Sequence, residues 1–281
     1  MPSMKIIKRR IGSVRSIRQI TKAMDLVATS KLGKAKARLA STRPLFGEAT
    51  RIIETVKNCE GVSENAFALG REVQSSAYIV ITSDRGLCGG YNTLISREAL
   101  SSMSGKNEKV ITIGTKGRDY LRRRGKNIVQ KYNGVTESSL YAEAEQIAGT
   151  IVSAYLSGEF DEVYVAYTHF ESTLTHQPRV ARILPIEIST ENPGTGNGME
   201  YEPDPNTFLE HAVPMYLSMF IYGAMAESVA CEMAARMTSM DAATGNADDI
   251  IEKLTLQYNR TRQGVITQEI NEIVGGASAL Q

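Results

Sequence analysis

Residues 7–32 read IKRRIGSVRSIRQITKAMDLVATSKL, and the spacing of the apolar side chains in this stretch decides the fold. Ile7, Ile11, Val14, Ile17, Ile20, Met24 and Val27 recur every three or four positions, which is the period of one helix face. Leu32, Ala35 and Leu39 carry the spacing onward while Lys and Arg crowd the other faces. Apart from Pro44 no proline interrupts residues 3–57, so the reading is a single helix of about 40 to 55 residues, roughly 60 to 80 Å long. Pro44 lacks an amide donor and marks the place where a kink or local break is expected. A helix of this length needs a partner along its side, because most helical stability comes from packing an apolar face.

The C-terminal third repeats the pattern after the turn-forming Glu202-Pro203-Asp204-Pro205-Asn206. Leu217, Phe220, Ala224, Met233, Met237 and Met240 supply apolar faces; Ile251, Leu254, Tyr258, Val265, Ile266, Ile270 and Ile273 continue beyond Gly245-Asn246. Pro214 is a candidate bend near the start. About 75 residues of helix would reach on the order of 110 Å.

Between the two helices the character changes. Residues 76–82, 109–114 and 162–167 are short β-branched and aromatic runs that read as buried strands, with an edge strand at 179–188. Helical stretches at 92–103, 116–124 and 140–157 alternate with them, the βαβ rhythm of a parallel or mixed sheet. Residues 192–204 read as a Gly- and Pro-rich exit loop. The expected class is α+β or α/β: a long antiparallel coiled coil of N- and C-terminal helices with a central Rossmann-like α/β domain. The expected boundaries are 1–58, 75–190 and 206–281.

Composition narrows the function. Of 281 residues, 42% are apolar and 22% charged, and no run of about 18 uncharged apolar residues is present to span a bilayer. No apolar signal core follows Lys5, Lys8, Arg9 and Arg10, so neither secretion nor import is expected. Cys59, Cys88 and Cys231 are odd in number and far apart, which suits reduced thiols and excludes a CxxC metal site. Residues 1–43 hold twelve Lys and Arg against one acid, Asp25, a net +11 in a chain of net +1. The rest therefore carries about −10, and the basic segment calls for an acidic partner or is simply a solvated face.

Ser83-Asp84-Arg85-Gly86-Leu87-Cys88-Gly89-Gly90-Tyr91-Asn92 follows a strand and precedes a helix, where phosphate-binding turns occur. It lacks G-x-G-x-x-G spacing, a following Gly-Lys-Ser/Thr and an acidic ribose contact, which favours a structural turn. There Asp84 and Arg85 would cap or pair, and Cys88 would be a small buried residue. His169, His176 and His211 form no metal or triad spacing, so no cofactor, metal or catalytic residue is expected. The basic run 117–125 reads as a solvated helix end. Nucleic-acid binding by the basic N-terminal helix conflicts with the apolar stripe running through the same turns, and the stripe argues equally against a lipid surface.

Three sets of residues carry a resemblance. Arg9-Arg10-Ile11, Thr21-Lys22-Ala23-Met24, Val27-Ala28 and Ser30-Lys31 stand at the N-terminus, and Gly86-Leu87-Cys88-Gly89 in the centre. Ala234-Ala235-Arg236-Met237 and residues 266–277 stand at the C-terminus. In order and spacing, over essentially the whole chain, they resemble the gamma subunit of F-type ATP synthases. The resemblance implies a rotor shaft, not itself an enzyme, that turns within a ring of three alpha and three beta subunits. It would couple transmembrane ion flow to ATP synthesis or hydrolysis at the beta sites. The α/β domain would lie beside the epsilon subunit and the membrane c-ring. Met24, Arg236, Arg262, Gln263 and Thr267 match the family's contacts with beta, and Tyr201 matches the foot that docks on the ring. No insertion with paired cysteines follows the central domain, unlike chloroplast relatives. A bacterial, peripheral protein on the cytoplasmic face of the inner membrane is expected. The alternatives are a nucleotide-binding α/β module with a coiled-coil dimerisation stalk, and a basic-helix nucleic-acid binder.

Overall fold

The computed structural model describes residues 3–56, 62, 65–103, 105, 107–135, 140–186, 201–202 and 204–278. The elements run α1 (Met4–Val56), β1 (Ser75–Ile81), α2 (Tyr91–Ser102), β2 (Asn107–Ile113), α3 (Thr115–Arg122) and β3 (Asn127–Tyr132). They continue as α4 (Leu140–Leu156), β4 (Glu162–Phe170), β5 (His176–Leu184) and α5 (Pro205–Ser278). Both terminal helices are continuous through their prolines, Pro44 in α1 and Pro214 in α5, so neither residue breaks its helix. The exit loop expected at 192–204 falls almost entirely outside the described residues. Contacts divide the chain into two units, one of residues 29–236 and one of residues 1–28 with 237–281.

In the larger unit the sheet order is β3-β2-β1-β4-β5, with β1 parallel to both β2 and β4, β2 parallel to β3, and β5 antiparallel to β4. Every residue of β1 is buried, as a central strand covered on both faces requires. Side chains alternate across it. Ala77, Ile79 and Ile81 join Ile147 and Ile151 of α4, Leu217 and Ile221 of α5, and Ile53 and Val56 of α1 on one face. Tyr78 and Val80 point to the other, against Ile95 and Ala99 of α2 and Leu121 of α3. The last turns of α1 are thereby part of the domain core. Phe46 of α1 meets Phe220 of α5 edge to face at 5.3 Å between ring centres, and Phe46 also lies against Gly223.

In the smaller unit the two helical segments run antiparallel. Thr21 Oγ1 and Thr244 Oγ1 are 2.8 Å apart, and one turn earlier on α1 Arg18 pairs with Asp248, one turn later on α5. The buried positions of α1 here are Ile7, Ile11, Asp25 and Ala28. That corrects part of the expected stripe, because Ile17, Ile20 and Val27 are 54%, 59% and 57% exposed. The seam keeps a 3.5-residue repeat, whereas an apolar pattern read by nearest neighbour drifts off it. At Arg18, Thr21 and Asp25 the seam positions are filled by polar residues, and Ala28 returns to an apolar one. Thr244 also donates to the Met240 carbonyl at 2.8 Å, so the hydroxyl pair is satisfied within the seam. A polar layer of this kind specifies one register at some loss of apolar burial.

Candidate functional site

The register Thr21 to Thr244 puts the first turn of α1, at Met4, level with Thr261 of α5. Arg262, Gln263 and Thr267 thus lie on α5 just beyond the end of α1, and all three are exposed. Around them Ile266, Ile270, Ile273 and Val274 are 46% to 71% exposed, a run of large aliphatic side chains at the surface of their unit. Met24 is half-buried on α1, on the same helix face as exposed Ile17, Ile20 and Val27. The apolar stripe of α1 is thereby divided: its early part, Ile7 and Ile11, packs inside the unit, and its later part faces outward around Met24.

Tyr201 is not a free surface group. It packs on the domain core, its ring 5.3 Å from that of Phe208. Asp204 receives the amides of Asn206 and Thr207 and the Thr207 hydroxyl, and caps the start of α5. The Thr207 bonds, its amide first, hold the Asp204 carboxyl below its usual value.

Arg236 is placed differently from the other expected contact residues. Its side chain is 11% exposed and belongs to the larger unit, where Nη1 lies 2.6 Å from Glu232 Oε1 and Nη2 donates to the Gly86 carbonyl at 3.3 Å. Burial pushes the Glu232 carboxyl above its usual value despite that guanidinium. Beside it the Tyr91 hydroxyl is raised by complete burial, and its bond with Ser228 acts the other way.

The Gly-rich turn itself is occupied by the chain. At the start of α3, the Thr115 amide donates to Asp84 Oδ1 at 3.0 Å, the Lys116 amide to the Ser83 carbonyl at 3.1 Å, and the Gly117 amide to Thr82 Oγ1 at 2.9 Å. Asp84 Oδ2 also accepts the Gly134 amide at 2.8 Å. A carboxylate therefore caps the N-terminus of α3, the helix after the one that the Gly-rich turn leads into. Gly114, at φ 95°, and Gly117 are required here, because a Cβ on either would come within 3 Å of Thr82. Cys88 is buried, in reach of Asn92 Nδ2 at 3.2 Å, and burial raises its thiol despite the Ser83 bond. A cleft with about 60 Å³ open to water lies between this turn, Leu140 and Glu232. Among the described residues no three His, Cys, Asp or Glu side chains are grouped to hold a metal ion.

A family model described as ATP synthase matches residues 3–280. The ATP synthase gamma chain of Pelotomaculum thermopropionicum is 43% identical over 285 residues, covering all of both chains. The chain belongs to the ATP synthase gamma family. A relative from Acetobacterium woodii, named ATP synthase gamma chain, sodium ion specific, is 40% identical over 98% of this chain and 97% of its own. Among solved structures, a chain of the Euglena gracilis mitochondrial ATP synthase superposes with a TM-score of 0.73 at 18% identity, covering 99% of this chain and 94% of that one. A chain from the central stalk and c-ring of the Tetrahymena thermophila enzyme gives 0.65 at 24% identity, covering 80% and 99%. These two share the fold of this chain. No described helix is long and apolar enough to cross a membrane.

The residues that sequence reasoning missed are polar. Glu232 stands four positions before Arg236, a legible helical ion pair. Arg18, Thr21, Asp248 and Thr244 left no apolar trace.

Proposed function

We propose that this chain is the central shaft of an F-type ATP synthase, converting rotation driven by ion flow into the cycle of binding, synthesis and release at beta-subunit sites. It holds no catalytic site itself. The supporting observation is the full-length family match, and the exposed aliphatic run from Ile266 to Val274 gives it physical sense. Apolar side chains with few directional bonds can turn inside an apolar collar at little cost. The basic charge of the N-terminal segment attracts acidic levers without fixing one geometry.

In this reading the partners are three alpha and three beta subunits, the epsilon subunit and the membrane c-ring. The chain sits peripherally on the cytoplasmic face of a bacterial inner membrane. Segments 1–58 and 206–281 form the shaft, and 75–190 the domain beside the ring. Met24, Arg262, Gln263 and Thr267 meet beta, with Arg236 close by, and Tyr201 helps shape the foot.

Reconstitution with alpha and beta subunits tests the proposal. ATP hydrolysis is expected to appear only when this chain is added, and equal hydrolysis without it contradicts the role. Met24→Lys is expected to impair ion pumping in membrane vesicles more than hydrolysis, since its ammonium must bond to the acidic lever. Unchanged coupling counts against that contact.

A further inference from the structure

Within the larger unit α5 meets the sheet in two different ways. From Leu209 to Met225 its buried side chains are apolar, apart from Ser218, which bonds back to the Pro214 carbonyl of its own helix. Apolar contacts resist separation but are non-directional. Over the next three turns the contacts become polar and specific. Glu227 Oε2 lies 2.7 Å from His169 Nδ1 and accepts the Phe170 amide at 3.3 Å. Ser228 Oγ accepts the Thr168 amide at 3.4 Å, and Cys231 Sγ donates to the Thr168 carbonyl at 3.4 Å. Arg236, held by Glu232, reaches the Gly86 carbonyl.

These bonds fall on the carboxyl-terminal ends of two adjacent strands: the end of β4 at 168–170, and the turn leaving β1 at 83–90. That turn is itself tied by Asp84 to the amides of Thr115 and Gly134, beyond β2 and β3. Four strand ends are thereby joined, directly or through one carboxylate, to one short stretch of α5. Arg236 is also the last residue of this unit.

We infer that residues Glu227–Arg236 are a polar clutch, which stops α5 rolling or sliding on the sheet where it leaves the domain. The inference rests on the shaft reading and adds to it. Torque entering through the α/β domain passes into α5 through fixed bonds as well as through side-chain interdigitation. Arg236 acts first on its own chain, as a positioning residue.

The test is made in the assembled complex, reading ions pumped per ATP hydrolysed in membrane vesicles. Glu227→Ala with Glu232→Ala is expected to keep hydrolysis and lose much of the pumping ratio. A core variant, Val213→Ala, lowers stability without touching the clutch and is expected to keep the ratio. An unchanged ratio in the double variant overturns the inference, and so does an equal loss in both, which would mark a merely structural role. Arg236→Ala separates the remaining possibility. If it uncouples while the double variant and Asp84→Ala do not, Arg236 works through beta and the clutch is wrong. Should the double variant fail to assemble, hydrogen exchange on the full-length chain carrying Glu232→Gln decides. The hydrogen-bonded amides of the tied turn, Ser83, Tyr91 and Thr115, are expected to exchange about tenfold faster, the effect of weakening one charge-assisted bond, and no change overturns the clutch. If the unaltered chain supports no hydrolysis, it is the shaft reading that fails, and the exchange result still stands for the grip.

Discussion

Two stretches of one helix, α5, behave as if they belonged to different proteins. Between Leu209 and Ala234 most side chains that meet the sheet, α4 and α1 are fully buried, Leu217, Ile221 and Ala230 among them. Farther along, Leu256, Ile266, Ile270, Ile273 and Val274, aliphatic side chains of the same kind, are 46% to 71% exposed. Helix propensity does not separate the two; what differs is how far this chain buries them. The first stretch is stabilised by its own fold, and in the proposed shaft the second meets other subunits.

The largest expected effect breaks the inner stretch. Leu217→Ala should cost about 2–5 kcal/mol in denaturant unfolding, through lost burial and a cavity, while Ile273→Ala should stay within about 0.5 kcal/mol in the isolated chain. Comparable losses at both sites would erase the contrast. Hydrogen exchange sharpens it: amides 262–275 should exchange readily in the isolated chain and become protected after assembly with alpha and beta, whereas 209–234 are protected in both.

A smaller effect concerns the polar layer of the smaller unit. Thr21→Val alone should cost about 1 kcal/mol, because it leaves the Thr244 hydroxyl with a poorer set of partners. With Thr244→Val added, most of that loss should return, a coupling that a double-mutant cycle reads directly.

The smallest effect is a pH dependence in the larger unit. Burial acts against the Asp161 charge, but the Ser75 and Gln74 amides, both 2.9 Å from Oδ2, and nearby Arg71 bring the carboxyl below its usual 3.8. A carboxylate with a lowered folded value stabilises above the unfolded value, and the benefit is lost as pH falls through the folded one. Asp161→Asn should therefore flatten the loss of stability below about pH 4, with little change in slope above it.

Both long helices and four of the five strands were legible from the spacing of apolar residues, every three or four positions in α1 and α5, and from short β-branched and aromatic runs in β1, β2 and β4. β3 was missed because Asn127-Ile128-Val129-Gln130-Lys131-Tyr132 is an outer strand whose residues alternate exposed and half-buried, so little apolar signal remains. The seam of α1 was legible at Ile7 and Ile11 and from Leu32 to Leu39, and misread at Ile17, Ile20 and Val27. Polar residues hold the contact positions there, and the apolar ones face outward. At the candidate site, the exposed group at Arg262, Gln263 and Thr267 follows from where α1 begins, which the coiled-coil reading contained. The Arg236 contact with the Gly86 carbonyl was out of reach, because a backbone acceptor has no signature in side-chain pattern.

The central claim is that this chain turns. A visible probe fixed to the α/β domain, in complexes immobilised through alpha and beta, tests it most directly. Adding ATP should drive stepwise rotation in one direction, and it should stop when ATP is removed. Steady hydrolysis under a probe that only fluctuates about one position would contradict the account.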